Sequence, residues 1–106
     1  MGIRENTLKI YGGNDKDWLG FKFTKKNTVS FHHIIKIEQG GKTQINNLAI
    51  LSKISHRLLN KIENEDPDLY EEINQLFVEV IGSNAPPNES YFKNIDKLLK
   101  KVPDFK

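Results

Sequence analysis

The sequence contains no cysteine among its 106 residues. That absence excludes a disulfide-stabilised fold, a zinc site built from thiolates and catalysis by a thiol nucleophile. Any bound metal must therefore be held by histidine, asparagine or carboxylate side chains. An excess of one charge is also missing, because 16 Lys and Arg against 14 Asp and Glu leave a formal net charge of +2. A near-neutral chain does not by itself indicate nucleic-acid binding, so any basic surface must be local.

Long hydrophobic runs are missing as well, since no apolar stretch approaches the roughly 20 residues that cross a bilayer. The opening letters MGIRENTLKIYGG lack the continuous apolar core of a secretion signal. We therefore expect a cytoplasmic protein. A chain of this length is long enough for one hydrophobic core and too short for two, so we expect a single domain over residues 1–106.

The N-terminal segment TLKIYGGNDKDWLGFKF favours strands and loops, because its β-type residues are interrupted by glycines. Its candidates for the core are Trp18, Leu19, Phe21 and Phe23. Tyr11 and Trp18 could also stack on nucleic-acid bases, although packing in the core is the commoner role of such residues.

A β-hairpin is predicted next. NTVSFHHII alternates between two faces, which places His32 and His33 on opposite sides of a strand. EQGGKT is typical of a turn built on Gly40 and Gly41, where Gly41 can supply a positive φ, and NLAIL is a short apolar return strand. The predicted fold class is α+β, with an N-terminal β-hairpin followed by helices.

Three helices should follow the hairpin, over 53–63, 67–82 and 88–102. Suitable N-caps are Ser52, Asp66 and Asn88, and Pro67 is favourable in a first turn. Apolar spacing predicts one buried face on each helix. These faces are Ile54, Leu58 and Ile62 in the first, Leu69, Ile73, Leu76, Phe77 and Val80 in the second, and Phe92, Ile95, Leu98, Leu99 and Val102 in the third.

All three histidines fall within residues 30–60. A helix packed across the hairpin would bring His32, His33, His56 and Asn60 toward one point, since His56 and Asn60 are one helical turn apart. Imidazole and amide groups with open coordination positions suit a divalent ion such as Zn, Ni, Mn or Mg. The alternative is that these residues are ordinary hydrogen-bonded polar side chains, which is the commoner role of a histidine in a strand.

The stretch HHIIKIEQGGKTQINNLAILSKISHRLLN resembles the motif of the HNH nucleases, also called the ββα-metal motif. The matching elements, in chain order, are His32-His33-Ile34, Gly40-Gly41, Asn47-Leu48 and, nine positions after Asn47, His56. The segments VSFHHI, GGKT, ISHRLLNKIE and DLYEEINQLF also resemble small stand-alone HNH proteins of Firmicutes and their phages. The resemblance covers about residues 18–99, and the motif itself spans 28–63.

The resemblance implies a metal-dependent endonuclease that holds one divalent ion. It assigns the role of general base to His33 and the ligation of the metal to His32 and His56. It also implies that Asn47 ties the loop together and fixes the orientation of the base, a task that Asn46 could share.

Two departures from the family pattern concern the metal sites. Asn60 stands where relatives often carry a further histidine, and its neutral amide oxygen would be a weaker ligand or phosphate contact. Ser52 and Ser55 stand where many relatives carry one C-x-x-C zinc pair. We expect ordinary helical packing to replace a structural zinc there.

Local positive charge could serve phosphate binding. Lys53, Arg57 and Lys61 recur every four residues on the motif helix, while other cations flank the hairpin, namely Lys25, Lys26, Lys36 and Lys42. The alternative is the solvated face of an amphipathic helix. We assign that simpler role to the lysines of the last helix, namely Lys93, Lys97, Lys100 and Lys101.

We therefore expect a divalent-metal-dependent endonuclease that hydrolyses phosphodiester bonds in DNA, in a bacterial cell and encoded by the host, a prophage or a phage. The competing hypothesis is a catalytically weakened HNH-fold protein that binds nucleic acid or inhibits a host nuclease. Asn60 and the near-neutral charge favour the competitor, whereas the His32, His33, Asn47 and His56 set disfavours it. A membrane partner is not expected, and a homodimer or a protein partner remains open.

Overall fold

The computed structural model describes residues 2–102, which form four α-helices and one two-stranded antiparallel sheet. The elements are α1 (Ile3–Tyr11), β1 (Val29–His33), β2 (Leu48–Ser52), α2 (Lys53–Glu65), α3 (Pro67–Ser83) and α4 (Glu89–Leu99). The predicted α+β class is confirmed, but the hairpin is not N-terminal, because α1 precedes it. Among the described residues, no helix combines the length and apolarity that a bilayer span requires.

The helix α1 replaces the strand that TLKIY was expected to form. Its buried residues are Thr7 and Tyr11, one turn apart, so the segment buries one helical face and does not alternate between two sides. The Tyr11 hydroxyl donates a hydrogen bond to the Ile81 carbonyl of α3 at 3.0 Å. Tyr11 is therefore a core residue, and this long-range contact overrides the local preference for strand.

The strands β1 and β2 pair in a register that sets His33 opposite Leu48 and His32 opposite Ala49. β1 ends at His33, earlier than the predicted strand, and the connection over 34–47 contains two 3-10 turns, Ile37–Gln39 and Ile45–Asn47. The hairpin is thus joined by an extended loop, and that loop begins directly after the histidine pair.

The glycine pair shapes this loop in a way that differs from the prediction. Gly40, and not Gly41, adopts the positive φ, at 90°. Gly41 is required by close approach, because a Cβ atom there would overlap the carbonyl group of Ile35.

The three predicted helix caps are confirmed. Ser52 accepts a hydrogen bond from the Ser55 amide, Asp66 accepts one from the third residue after it, and Asn88 does the same at the start of α4. The predicted starts are therefore accurate to within a residue. α2 and α3 end slightly later than expected, at Glu65 and Ser83, and α4 ends earlier, at Leu99.

The buried face of α2 differs from the predicted stripe. Ile54 is 43% exposed, and the buried residues are Ser55, Leu59 and Ile62. The face is rotated by one residue because a buried polar cluster occupies the first turn of the helix. In α3 and α4 the predicted faces hold, with Leu69, Ile73, Phe77, Val80, Ile95 and Leu99 buried and Leu76, Phe92, Leu98 and Val102 partly buried.

That polar cluster is centred on Asp17, which is fully buried. Its carboxylate accepts hydrogen bonds from the hydroxyls of Ser52 and Ser55 and from the amides of Leu19 and Phe21. Ordinary helical packing was expected at Ser52 and Ser55. The two serines are instead linked by hydrogen bonds to one shared carboxylate, that of Asp17. The position also suits a negative charge, since it lies at the N-terminus of α2.

The core lies between the sheet and the helices and is centred on Trp18. This ring is 1% exposed and lies 5.9 Å from the Tyr11 ring and 5.8 Å from the Phe77 ring, centroid to centroid. Leu19 is also buried, while Phe21 and Phe23 are partly buried, so all four predicted core candidates contribute. α3 reaches from this core to the surface beside the end of β1.

Candidate active site

An open cleft of ≈ 430 Å³ lies where β1, its following loop, α2 and α3 meet. Its lining includes His32, His33, His56, Asn60 and Tyr70. Although strand alternation separates His32 from His33, both reach the same cleft, because β1 ends at His33 and the chain then turns. The fold therefore brings together the three histidines and Asn60.

His32 is the most buried of the three histidines, with 5% of its surface exposed. Its Nε2 atom lies 2.9 Å from Asn74 Oδ1. Burial lowers the pKa of His32 to about 4, against an opposing effect of the Asn74 hydrogen bond and with a further lowering by His56. His32 is therefore neutral at pH 7, which is the state that a metal ligand requires.

His56 projects from the first turns of α2 toward β1. Its Nδ1 atom lies 2.7 Å from Ser30 Oγ, and its ring lies 5.9 Å from the His32 ring, centroid to centroid. Burial, with a smaller contribution from His33, lowers its pKa. Metal–nitrogen distances of about 2.0–2.1 Å put two imidazoles that share an ion at about this ring separation.

His33 is partly buried, and its Nε2 atom lies 2.9 Å from Thr43 Oγ1 in the loop. The Thr43 hydroxyl thus contacts Nε2, and the second ring nitrogen, Nδ1, is not part of this contact. The imidazole is held at the rim of the cleft between a strand end and the loop.

Asn47 holds the ends of the loop together. Its Oδ1 atom accepts a hydrogen bond from the Ile35 amide at 2.7 Å, and its Nδ2 atom donates to the carbonyls of Ile35 and Lys42 at 3.0 and 2.9 Å. Both ends of the side-chain amide are therefore hydrogen-bonded to loop backbone. Asn46 is exposed beside it.

The donor atoms available to a metal ion are few. Within residues 2–102, no group of three or more His, Asp or Glu side chains has a metal-binding arrangement. The predicted ligands that line the cleft are the imidazoles of His32 and His56 and the exposed amide of Asn60, one turn further along α2. This set fits an ion that keeps several positions for water or phosphate.

The predicted phosphate-binding cations are distributed unevenly around the cleft. Lys36 lines it and forms an ion pair with Glu63 of α2. The other six predicted cations are exposed and do not belong to the lining in the described part of the chain; they are Lys25, Lys26, Lys42, Lys53, Arg57 and Lys61. The helix α2 therefore presents a basic surface beside the cleft.

Three partners of the histidines were not predicted from the sequence, namely Ser30, Thr43 and Asn74. Ser30 could have been found, because it shares a face of β1 with His32. Thr43 carries a weaker signal, since a long loop hides which residues meet. Asn74 has no local signal, because it lies 42 positions after the histidine that it contacts.

One comparison with known proteins matches the segment that carries the three histidines. Residues 20–61 match the family model described as HNH endonuclease. No curated protein and no solved structure matched the chain. The matched segment is less than half of the chain and contains β1, the loop, β2 and most of α2. These residues are thus similar to the HNH endonuclease family, and this similarity suggests a nuclease-type function.

Proposed function

We propose that this protein is a divalent-metal-dependent endonuclease that hydrolyses phosphodiester bonds in DNA and carries the ββα-metal arrangement. The observation that supports this best is the convergence of His32, His33 and His56 on one open cleft within the family-matched segment. Such a reaction needs an activated water molecule and compensation of the charge that develops on the phosphate oxygens.

His32 and His56 would hold the metal ion, with Asn60 as a weaker amide contact. Both rings have one nitrogen engaged by a neighbouring side chain, which fixes the ring and leaves the second nitrogen for a ligand bond. When bound, a divalent ion supplies Lewis-acid stabilisation of a phosphate oxygen and of the departing oxygen. Imidazole donors favour Zn, Ni or Mn over Mg.

His33 would act as the general base. Its contact with Thr43 orients the imidazole, and the ring nitrogen away from that contact would take the proton from the attacking water. Asn47 would support this geometry indirectly, because it ties together the backbone on both sides of the loop that carries Thr43.

Lys36 and the exposed cations of α2 would bind phosphates without reading base sequence. In the absence of nucleic acid, Glu63 neutralises Lys36 across the rim of the cleft. A phosphate group that enters the cleft would compete with Glu63 for the ammonium group. DNA is the proposed substrate, and these contacts support low sequence specificity.

The test is a plasmid-nicking assay with EDTA and with added Mg, Mn, Ni or Zn, applied to three histidine variants. We expect His33→Ala to lower the rate by about 100-fold or more while Zn²⁺ affinity stays within a few-fold, because this residue is assigned to water. His32→Ala and His56→Ala should lose both metal and activity.

Two results would contradict this assignment. Complete loss of Zn²⁺ binding in His33→Ala, measured by calorimetry, would make His33 a ligand. Wild-type protein that binds duplex DNA and shows no cleavage with any of the four metals would favour the competing function, a nucleic-acid-binding HNH domain without efficient catalysis.

A further inference from the structure

A residue outside the family-matched segment contacts the candidate metal site directly. Asn74 lies in the middle of α3, is buried between the core residues Ile73 and Phe77, and places its Oδ1 atom 2.9 Å from His32 Nε2. The family match ends at residue 61, so this contact comes from an element added to the motif.

The orientation of the Asn74 amide is fixed by a second hydrogen bond. Its Nδ2 atom donates to the Tyr70 carbonyl at 3.2 Å. If the amide were rotated by half a turn, its oxygen would face that carbonyl oxygen, and two acceptors would be left in contact in a buried place. The atom that faces His32 is therefore the amide oxygen.

An oxygen that can only accept decides which nitrogen of His32 carries the proton. Neutral imidazole has one N–H group and one lone pair, so Nε2 must be the donor and Nδ1 must hold the lone pair. The contacts of His56 and His33 differ in this respect, because the hydroxyls of Ser30 and Thr43 can donate or accept. His32 is therefore the histidine whose tautomer is determined by its hydrogen-bond partner.

We propose that Asn74 is a positioning residue that holds His32 in the Nε2–H tautomer and thereby leaves Nδ1 as the metal-binding nitrogen. This inference rests on the proposed function, since it assumes that His32 is a metal ligand. Hydrogen bonds to the remote nitrogen of a ligating imidazole set its orientation and raise its basicity. α3 would thus contribute to metal affinity from outside the HNH motif.

The first experiment uses the unaltered protein. Nitrogen-15 NMR of its three imidazole rings, without metal and then with one equivalent of Zn²⁺, reports which ring nitrogen is protonated and which one binds. We expect a protonated Nε2 in His32 before the addition and a shift of its Nδ1 signal after it. Protonation at Nδ1 in the metal-free protein, or binding through Nε2, would overturn the inference.

The second experiment compares substitutions at Asn74. Asn74→Leu removes the acceptor, so we expect a mixture of His32 tautomers and a loss of Zn²⁺ affinity of about 10–100-fold. Asn74→Gln keeps both an acceptor oxygen and an amide donor, and we expect a single tautomer and an affinity within a few-fold of wild type. Asn94→Leu, the same change at an exposed position of α4, should alter neither quantity.

These readouts separate this inference from the proposed function. Wild-type protein with the Nε2–H tautomer but without Zn²⁺ binding would contradict both the metal-dependent function and the assignment of Nδ1 as a ligand. Tight Zn²⁺ binding that is unchanged in Asn74→Leu would overturn only the role of Asn74. If Asn74→Leu does not fold, Asn74→Gln decides, because loss of the single tautomer there would contradict the positioning role.

Discussion

The three histidines differ in how deeply the fold buries them. His32 is enclosed by aromatic rings, with Tyr70 at 6.2 Å and Phe77 at 5.8 Å between ring centroids. These rings exclude water from the imidazole, which explains why burial is the largest influence on the pKa of His32. His56 and His33 lie further toward solvent at the rim of the same cleft.

The depressed pKa of His32 predicts a dependence of stability on pH. Its pKa is about 4 in the folded protein and 6.5 without the fold. Between these values the unfolded state binds a proton that the folded state does not, so stability is fully present above pH 6.5 and is lost as pH falls toward 4. The complete effect is about 3 kcal/mol, and the lowered pKa of His56 acts in the same direction.

Urea denaturation of metal-free protein in EDTA, at about pH 7 and about pH 4.5, measures this loss in the free energy of unfolding. His32→Gln serves as the control, because it cannot take up the proton. We expect a smaller difference between the two pH values in the variant. Equal differences would contradict the assigned pKa of His32.

The sequence predicts the site only as far as its residues depend on local pattern. Strand alternation, the glycine pair and the helical spacing from His56 were sufficient to predict that the three histidines and Asn60 lie close together. The partners of these histidines depend on tertiary packing, because α3 meets β1 through a contact distant in sequence. The pattern likewise gave no sign that Lys36 is paired with Glu63.

At the scale of elements, the loop between the strands is the part that the histidines depend on most. It starts directly after His33 and supplies the hydroxyl that contacts this residue. Its path is fixed by Asn47 and by the two glycines, which serve different needs. Gly40 adopts a left-handed conformation, whereas Gly41 lies against the backbone at Ile35.

Alanine substitutions should distinguish the two glycines. Gly40→Ala introduces a side chain at positive φ with free space around it, so we expect a loss of about 1–2 kcal/mol in the free energy of unfolding. Gly41→Ala sets a methyl group against a carbonyl, and we expect more than about 3 kcal/mol, or a displaced loop. Chemical denaturation of both variants tests this order, and an equal or reversed order would contradict it.

Helix starts were predictable because capping is local, whereas α1 was not. The caps at Ser52, Asp66 and Asn88 each use a side chain within three residues of the amide that it binds. α1 is stabilised by burial of Thr7 and Tyr11 against distant parts of the chain, which outweighs the β preference of its sequence. The rotated face of α2 has the same origin, since Asp17 lies 35 positions before Ser52.

At the scale of the whole molecule, positive charge is arranged in two groups with different surroundings. The cations of α2 lie on the helix that carries His56, within the matched segment. On α4 and its C-cap, Lys93 and Lys100 form ion pairs with Glu89 and Asp96 of this helix. The net charge of +2 therefore does not reveal that the cations of α2 and those of α4 have different surroundings.

Neutralising these two groups should affect DNA binding unequally. We expect the triple change Lys53→Ala, Arg57→Ala and Lys61→Ala to weaken binding of a labelled duplex by about 10-fold or more. The slope of log affinity against log salt concentration should become shallower by about one for each phosphate contact that is lost. The control with the same charge change is Lys93→Ala, Lys97→Ala and Lys100→Ala. Fluorescence anisotropy in EDTA measures both, and equal losses in the two variants would contradict a binding surface on α2.

The central position of Trp18 gives the protein an internal optical reporter. It is the single tryptophan of the chain, so its emission comes from one place and is not an average. Its ring contacts Phe77, and Phe77 in turn contacts the His32 imidazole, with centroids 5.8 Å apart in both cases. Intrinsic fluorescence should therefore register a rearrangement of His32 through one intervening ring, without any label attached to the cleft.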